Sequence, residues 1–422
     1  MQEPYRYETL PLDTPDEDPR WAEYLDIFRL GFLDKRASAE GLGIYRRSRR
    51  ADRSTLGMVT TEGPGLEGRR PVGAFVSAPF TLNDGAGLVD ALVINTIAVR
   101  PSHRRRGILS AMMRAHLDAA IDDGTALAVL TASEATIYGR FGFGVATRTP
   151  TIEVDTARMR FRDDVAVAPG SVEFVDPSFL LPHHERIRLA HQARYRGAGG
   201  IQEAHRLVDT GAWDTEEESA SRALRAVVHF DSGGVPDGFA TFKHDGWDNS
   251  PINTTVRMLC SPDPAIDRAL WQALAATDLV ERLTYGMSHP AEPLRAALAD
   301  PWAVKQKDAG DAVWLRVLDL PRAVAGRGFE GDGEVLVSLT DALGYCAGTW
   351  RLSVQRGHGT AVPSTSDAEV SLDVSTLARI WLGDRSAAEL AWAGLVRGSS
   401  EDVARLSRIF ATVEPPVNLA KF

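Results

Sequence analysis

Residues 91–145 read ALVINTIAVRPSHRRRGILSAMMRAHLDAAIDDGTALAVLTASEATIYGRFGFGV. Leu92–Val99 is almost wholly apolar and rich in β-branched residues, the composition of a strand buried on both faces. Pro101 stops it, because proline brings no N–H to a ladder. From Ile108 the apolar period changes: Leu109, Met112, Met113, His116, Leu117, Ala120 and Ile121 share one helical face. Asp122-Asp123-Gly124 ends that helix, Gly124 being suited to the left-handed position past its last turn. Ala126–Leu130 is a second short apolar strand.

Between strand and helix lies Ser102-His103-Arg104-Arg105-Arg106-Gly107. A helix N-terminus presents free backbone N–H groups and the positive end of the helix dipole. Such a place binds anions, and a pyrophosphate is a good occupant. Gly107 has no Cβ, so a phosphate can approach the backbone closely, and arginines add charge-assisted hydrogen bonds. Three arginines in a row are weak evidence alone. Only five of the 47 basic residues are Lys, so such runs arise readily and read as solvated turns or nucleic-acid patches. Their place between a buried strand and a helix is what points to a bound phosphate.

Arg104-Arg105-Arg106-Gly107-Ile108-Leu109 resembles the (Q/R)-x-x-G-x-(G/A) signature of the GNAT superfamily of N-acetyltransferases, with Leu109 in place of the final small residue. VRPSHRRRGIL followed by TASEATIYGRFGFG looks like a narrower group, the enhanced intracellular survival (Eis) family. That family carries the Arg-rich turn, then Ala-Ser-Glu, then Ile-Tyr-Gly-Arg-Phe-Gly. The resemblance implies an α+β chain: two tandem GNAT folds, the first active and the second degenerate, then a sterol-carrier-protein-like α/β domain.

The rest of the chain fits that order. Trp21–Phe32 repeats apolar residues at helical spacing. Gly57–Val76 reads as two short strands around a Gly-rich turn at Thr61–Arg70 that carries Pro64. Residues 163–171 (DDVAVAPGS) read as a linker. From Val172 to about Gly310 the grammar repeats as three strands and a helix, Ala265–Ala276. Its turn, Ser261-Pro262-Asp263-Pro264-Ala265-Ile266-Asp267, has neither glycine nor arginine and would repel a pyrophosphate. This is an acetyltransferase-like fold without a cofactor. Past Ala312 the pattern changes, with strands Val313–Leu318, Glu334–Asp341, Gly348–Arg356 and Ala368–Asp373, then three helices. LDVSTLARIWLGDRSAAELAWAG resembles the sterol-carrier-like domain that ends this family, read here as scaffold and site completion. The expected domains are residues 1–160, 161–310 and 311–422.

Composition excludes other classes. At 44% apolar and 25% charged residues the chain is ordinary for a water-soluble protein, and its net charge of −10 argues against a nucleic-acid partner. The N-terminus is polar and acidic, unlike a signal peptide. No run reaches the ~18 apolar residues that span a bilayer. Cys260 and Cys346 lie far apart, as in a reduced, cytoplasmic protein. His183, His184, His191 and His205 match no metal spacing, so no metal is expected.

The resemblance also implies a mechanism, direct attack of an amine on the thioester of acetyl-CoA. The splayed strand end Ile97-Ala98-Val99 would meet the pantetheine and the carbonyl oxygen. Arg105, Arg106, Gly107, Ile108, Leu109 and Ser110 would hold the pyrophosphate, with Ser133 and Glu134 on the other side. Tyr138 would protonate the leaving thiolate, its phenol being neutral with a reference pKa of about 10. By resemblance Asp34 and Tyr45 line the acceptor side, and the terminal carboxylate of Phe422 is the general base. The acceptor would be an aminoglycoside, another polyamine-like molecule or a lysine side chain, and the assembly a homohexamer. The competing reading is a non-catalytic CoA- or lipid-binding regulatory protein with a vestigial site, suggested by Leu109 and by Lys421 before the terminal Phe422.

Overall fold

The computed structural model describes residues 5–63 and 68–419. The first sheet holds Arg6–Thr9 (β1), Thr55–Glu62 (β2), Arg69–Asn83 (β3), Leu88–Val99 (β4), Leu127–Leu130 (β5) and Gly144–Val145 (β6). It also takes a strand from far along the chain, Trp314–Val317 (β14 in chain order), and the sheet order is β1-β2-β3-β4-β5-β14-β6. Helices Arg20–Gly31 (α1), Ala39–Ala51 (α2), Ile108–Asp122 (α3) and Ala135–Tyr138 (α4) accompany it.

The stripe expected on α3 is the one buried: Ile108, Met112, Met113, His116, Leu117 and Ala120. It packs on Val59, Val72, Phe75 and Ile94 of the sheet. Each fully buried Met or Leu there contributes roughly 1.5–3 kcal/mol. Gly124 ends the helix at φ +82°, with its N–H on Ile121 O at 2.9 Å and the Thr125 N–H on Ala120 O at 2.8 Å. That pair of bonds is a Schellman motif. α2 was not legible in the periodicity, being too polar. Ser38 starts it, its hydroxyl accepting from the Gly41 N–H at 3.0 Å, with Glu40 in the first turn and Arg49 and Arg50 in the last.

The second sheet is built from Arg148–Asp155 (β7), Ser171–Val175 (β8), Arg225–Phe230 (β9), Pro236–His244 (β10), Asn253–Cys260 (β11), Arg282–Tyr285 (β12) and Val304–Asp311 (β13). Its order is β13-β7-β12-β11-β10-β9-β8. Helices His184–Arg194 (α5), Glu203–Asp209 (α6), Pro264–Ala275 (α7) and Pro293–Ala297 (α8) belong to this part. The third sheet has Gly333–Thr340 (β15), Gly348–Gln355 (β16), His358–Pro363 (β17), Val370–Asp373 (β18) and Arg397–Gly398 (β19), in the order β17-β16-β15-β18-β19. Leu320–Gly326 (α9), Val374–Trp381 (α10), Ala387–Trp392 (α11) and Ser400–Phe410 (α12) complete the chain.

Sheet membership divides the chain differently from boundaries at 160 and 310. β7, before residue 160, joins the second sheet, between β12 and β13. β14, read from the sequence as opening the C-terminal domain, lies in the first sheet between β5 and β6. All four of its residues are buried, as suits an interior position. Its Arg316 pairs with Asp341 at 2.6 Å, both side chains buried, so the first sheet is tied to the C-terminal part. Removing one partner would leave a charge without compensation.

Candidate active site

Strands β4 and β5 pair in parallel from Ala91↔Leu127 to Ile94↔Leu130, and then β5 ends. β4 runs on to Val99, its other edge still held by β3 through Phe75↔Ile97, Ala74↔Ala98 and Gly73↔Val99. Among the described residues the edge facing β5 is therefore unpaired by any strand beyond Ile94, and its N–H and C=O groups need another partner. A cavity of about 690 Å³ opens there, within the size range of small-molecule sites.

Ile97, Ala98, Val99, Arg105, Gly107, Ile108, Leu109, Ser110, Ser133, Glu134 and Tyr138 all line this cavity. The turn above them is more specialised than the sequence revealed. Arg105 and Gly107 are both left-handed, at φ +63° and +76°. Gly107 is the N-cap of α3, and no side chain caps the helix. Among the described residues the first-turn N–H groups thus have no internal acceptor beside the cavity, the condition for an anion site. A Cβ built on Gly107 would meet no protein atom within 4 Å. Arg106 departs from expectation: it does not line the cavity, and its guanidinium donates to the Tyr5 hydroxyl at 2.6 Å. Arg104 and His103 line it instead. Burial, with the charges of Arg106 and Arg100, lowers the pKa of His103, so its imidazole is neutral at pH 7.

Tyr138 ends the short helix α4 and is buried, with its ring edge-on to Phe143 and Trp314 at 6.4 Å each. Burial pushes its phenol pKa up. A hydrogen bond with Ser133 opposes the rise and the Glu134 charge adds to it. The hydroxyl is therefore a neutral donor throughout the neutral range. Trp314 comes from β14, so the strand contributed from far along the chain also supports this tyrosine. Arg140 lines the cavity as well, its guanidinium 5.0 Å above the Phe141 ring.

The acceptor side differs more from the expectation. Gly31 and Phe32, at the end of α1, line the cavity, whereas Asp34 and Tyr45 do not. Asp34 is exposed and paired with Arg29 at 3.1 Å. Tyr45 packs among Trp21, Tyr24 and their neighbours, with the Arg49 guanidinium 5.4 Å over its ring. The loop carrying Asp34 is instead anchored by Glu218 of the central part. Glu218 accepts from the Ser38 N–H at 2.8 Å and from Arg29 at 3.0 Å. Burial opposes ionisation, yet the Ser38 bonds and the Arg29 and Lys35 charges leave the Glu218 carboxyl below its ordinary range.

Glu218→Ala strands the Ser38 N–H and leaves the Arg29 guanidinium with exposed Asp34 alone. It should cost roughly 1–3 kcal/mol of stability and raise the acceptor KM, leaving acetyl-CoA affinity unchanged. Calorimetry and initial-rate kinetics read the two effects separately, and an unaltered KM would remove this loop from the acceptor wall.

Phe422 lies outside the described residues. The chain approaching it is well held: Arg194 makes a two-pronged pair with Glu414, both bonds at 2.9 Å, and the Val417 N–H donates to Arg196 O at 2.8 Å. Val417 and Leu419 are buried.

The central sheet repeats the splay without the anion site. β11 pairs with β12 only from Asn253↔Arg282 to Val256↔Tyr285, then runs on to Cys260 held by β10 on its other edge. At the N-terminus of α7, however, the Asp263 carboxylate already accepts the Ala265 N–H at 2.7 Å. Ser261 Oγ donates to Asp267 at 2.6 Å, and burial pushes the Asp267 carboxyl up to about 7. His184 bonds Asp209 at 3.1 Å and His191 bonds the Ser261 carbonyl at 2.8 Å. Among the described residues no group of three or more His, Cys, Asp or Glu is arranged to hold a metal, and no helix is long and apolar enough to cross a membrane.

Acetyltransferase (GNAT) domain models match residues 16–146 and 208–317, and a sterol carrier protein domain model matches 320–418. An uncharacterized N-acetyltransferase of Streptomyces avermitilis is 32% identical over 405 residues, 93% of this chain and 94% of that one. N-acetyltransferase Eis of Mycobacterium tuberculosis is 30% identical over 333 residues, 76% of this chain and 78% of its own. The crystal structure of Eis1 from Mycobacterium abscessus shares the fold, with a TM-score of 0.80 over 99% of this chain and 100% of that one at 24% identity.

Proposed function

Because the chain belongs to the Eis family of GNAT N-acetyltransferases, enzymes that acetylate amines, we propose that it moves acetyl from acetyl-CoA to an amine in the β4–β5 cavity by direct attack. The observation that carries this reading is a neutral, buried Tyr138 phenol in one cavity with the uncapped N-terminus of α3. Arg104, Arg105 and the first-turn N–H groups of α3 hold the pyrophosphate. The free edge of β4 at Ile97–Val99 receives the pantetheine amides and orients the thioester carbonyl. Attack forms the C–N bond and then breaks the C–S bond. Tyr138 gives its proton to the departing sulfur and regains one from solvent.

The proton lost by the amine goes to the terminal carboxylate of Phe422, directly or through water. An ordinary α-carboxylate, with a pKa of ~3.5, is a weak base, so the relay through water matters. Deleting Phe422, or extending the chain past it, should lower kcat by about tenfold or more while acetyl-CoA binding persists. Wild-type turnover in either variant would assign the base elsewhere.

The acceptor class is an aminoglycoside-like or other polyamine, or a lysine side chain. The N-acetyltransferase relatives support an amine, and the net charge of −10 favours a cation. The experiment that tests the reading is acceptor-dependent release of CoA thiol. A homohexamer in the cytoplasm completes the proposal, on family resemblance. A stable monomer at micromolar concentration in sedimentation would contradict the assembly.

A further inference from the structure

The central part holds a second cavity of about 530 Å³, and no residue lines both cavities. Its walls come from α5, α6, the segment after α6, strands β10 and β11, and Leu419. Trp213, Leu224, Val256 and Met258 make it partly apolar. Three of its polar side chains are deeply buried yet carry atoms without a partner among the described residues. Arg188 is 5% exposed and its Nε has no partner. Gln202 is 4% exposed and neither amide atom has one. Thr241 is 1% exposed and its hydroxyl has none.

Buried polar groups are almost always hydrogen-bonded, so three unsatisfied ones around one space call for an occupant. The acids lining the cavity are already engaged or exposed. Asp214 pairs with Lys243 at 2.7 Å, Asp209 bonds His184 at 3.1 Å, and Glu216 is exposed, as is Arg257. Arg188 forms no ion pair among the described residues. It contacts the Cys260 thiol, which burial keeps neutral, so that contact brings no compensating charge. A guanidinium cannot shed its proton. The Arg188 Nε is buried with no acceptor among the described residues, and an anionic oxygen would supply one.

We propose that this cavity is a second binding site, taking a small polar ligand through an anionic oxygen group, carboxylate or phosphate, held by Arg188. The ligand's neutral part would satisfy the Gln202 amide and the Thr241 hydroxyl and rest against Trp213. Among the described residues the site shares no lining residue with the acetyl-CoA cavity.

Titration calorimetry on the full, untagged chain tests this with two probes, sodium phosphate and sodium succinate, at constant ionic strength. Saturable one-site binding of either is expected. Phosphate alone points to a phosphorylated ligand, succinate alone to a carboxylic acid, and both to a site reading charge. Arg188→Gln should weaken binding by about tenfold or more, and Thr241→Val, which keeps the side-chain shape, should weaken it less. Both variants should bind acetyl-CoA as the parent does, which confirms that they fold. The proposal is overturned if neither probe binds saturably or if Arg188→Gln binds them equally well. It is also overturned if binding appears only after residues 420–422 are removed, because the cavity then belongs to the chain's own end.

Discussion

Tyr138→Phe should lower kcat by about a hundredfold or more while leaving acetyl-CoA affinity unchanged. Phenylalanine keeps the edge-on contacts with Phe143 and Trp314, so the packing survives. What is lost is one hydroxyl and its hydrogen bond with Ser133. If Tyr138 were only a core aromatic, that loss would cost some stability and no rate. The pH profile gives a second check. Burial and Glu134 raise the phenol pKa against the opposing Ser133 bond. A raised pKa retains the proton, so Tyr138 adds no falling limb to kcat below pH ~10. An unchanged rate in the phenylalanine variant would remove Tyr138 from the chemistry.

Gly107→Val should weaken acetyl-CoA binding by about a hundredfold or more, equivalent to about 2.7 kcal/mol. Two effects add. Gly107 sits at φ +76°, where a β-branched residue is a genuine outlier. Its side chain would also project into open space lined by the phosphate-facing groups, because no protein atom lies within 4 Å of the added Cβ. Gly234→Val is the matched control. Gly234 has φ +78° and equally open surroundings, but it lies between β9 and β10 and lines no part of the cavity. That variant should lose comparable stability and keep its acetyl-CoA affinity. Equal losses of affinity in both would attribute the effect to folding and not to the cradle.

The contrast between these residues and the rest shows what a sequence can carry. The strand, turn, helix and tyrosine of 91–145 are contiguous, and their geometry follows from local rules: apolar runs, a glycine N-cap, a Schellman end. Most residues lining the first cavity lie in that stretch, although His103, Ile137 and Arg140 had no part assigned to them there. The place of Arg106 was not legible, because which of three adjacent arginines faces inward depends on the left-handed backbone at Arg105. β7 and β14 were legible as strands, but apolar composition says only that a strand is buried, not in which sheet. α2 escaped because its polar sequence leaves no apolar period. Asp34 and Tyr45 rested on resemblance. The structure pairs one with Arg29 and packs the other in the α1 core, while Glu218, some 180 residues later, holds the loop between α1 and α2. Long-range pairing of that kind leaves no local signal.

The most direct measurement is the release of CoA thiol from acetyl-CoA by the untagged chain, across aminoglycosides, polyamines and lysine peptides. The account predicts saturable release that requires an amine acceptor and falls sharply in Tyr138→Phe. Acetyl-CoA that binds but yields no acceptor-dependent thiol with any of these amines would contradict it.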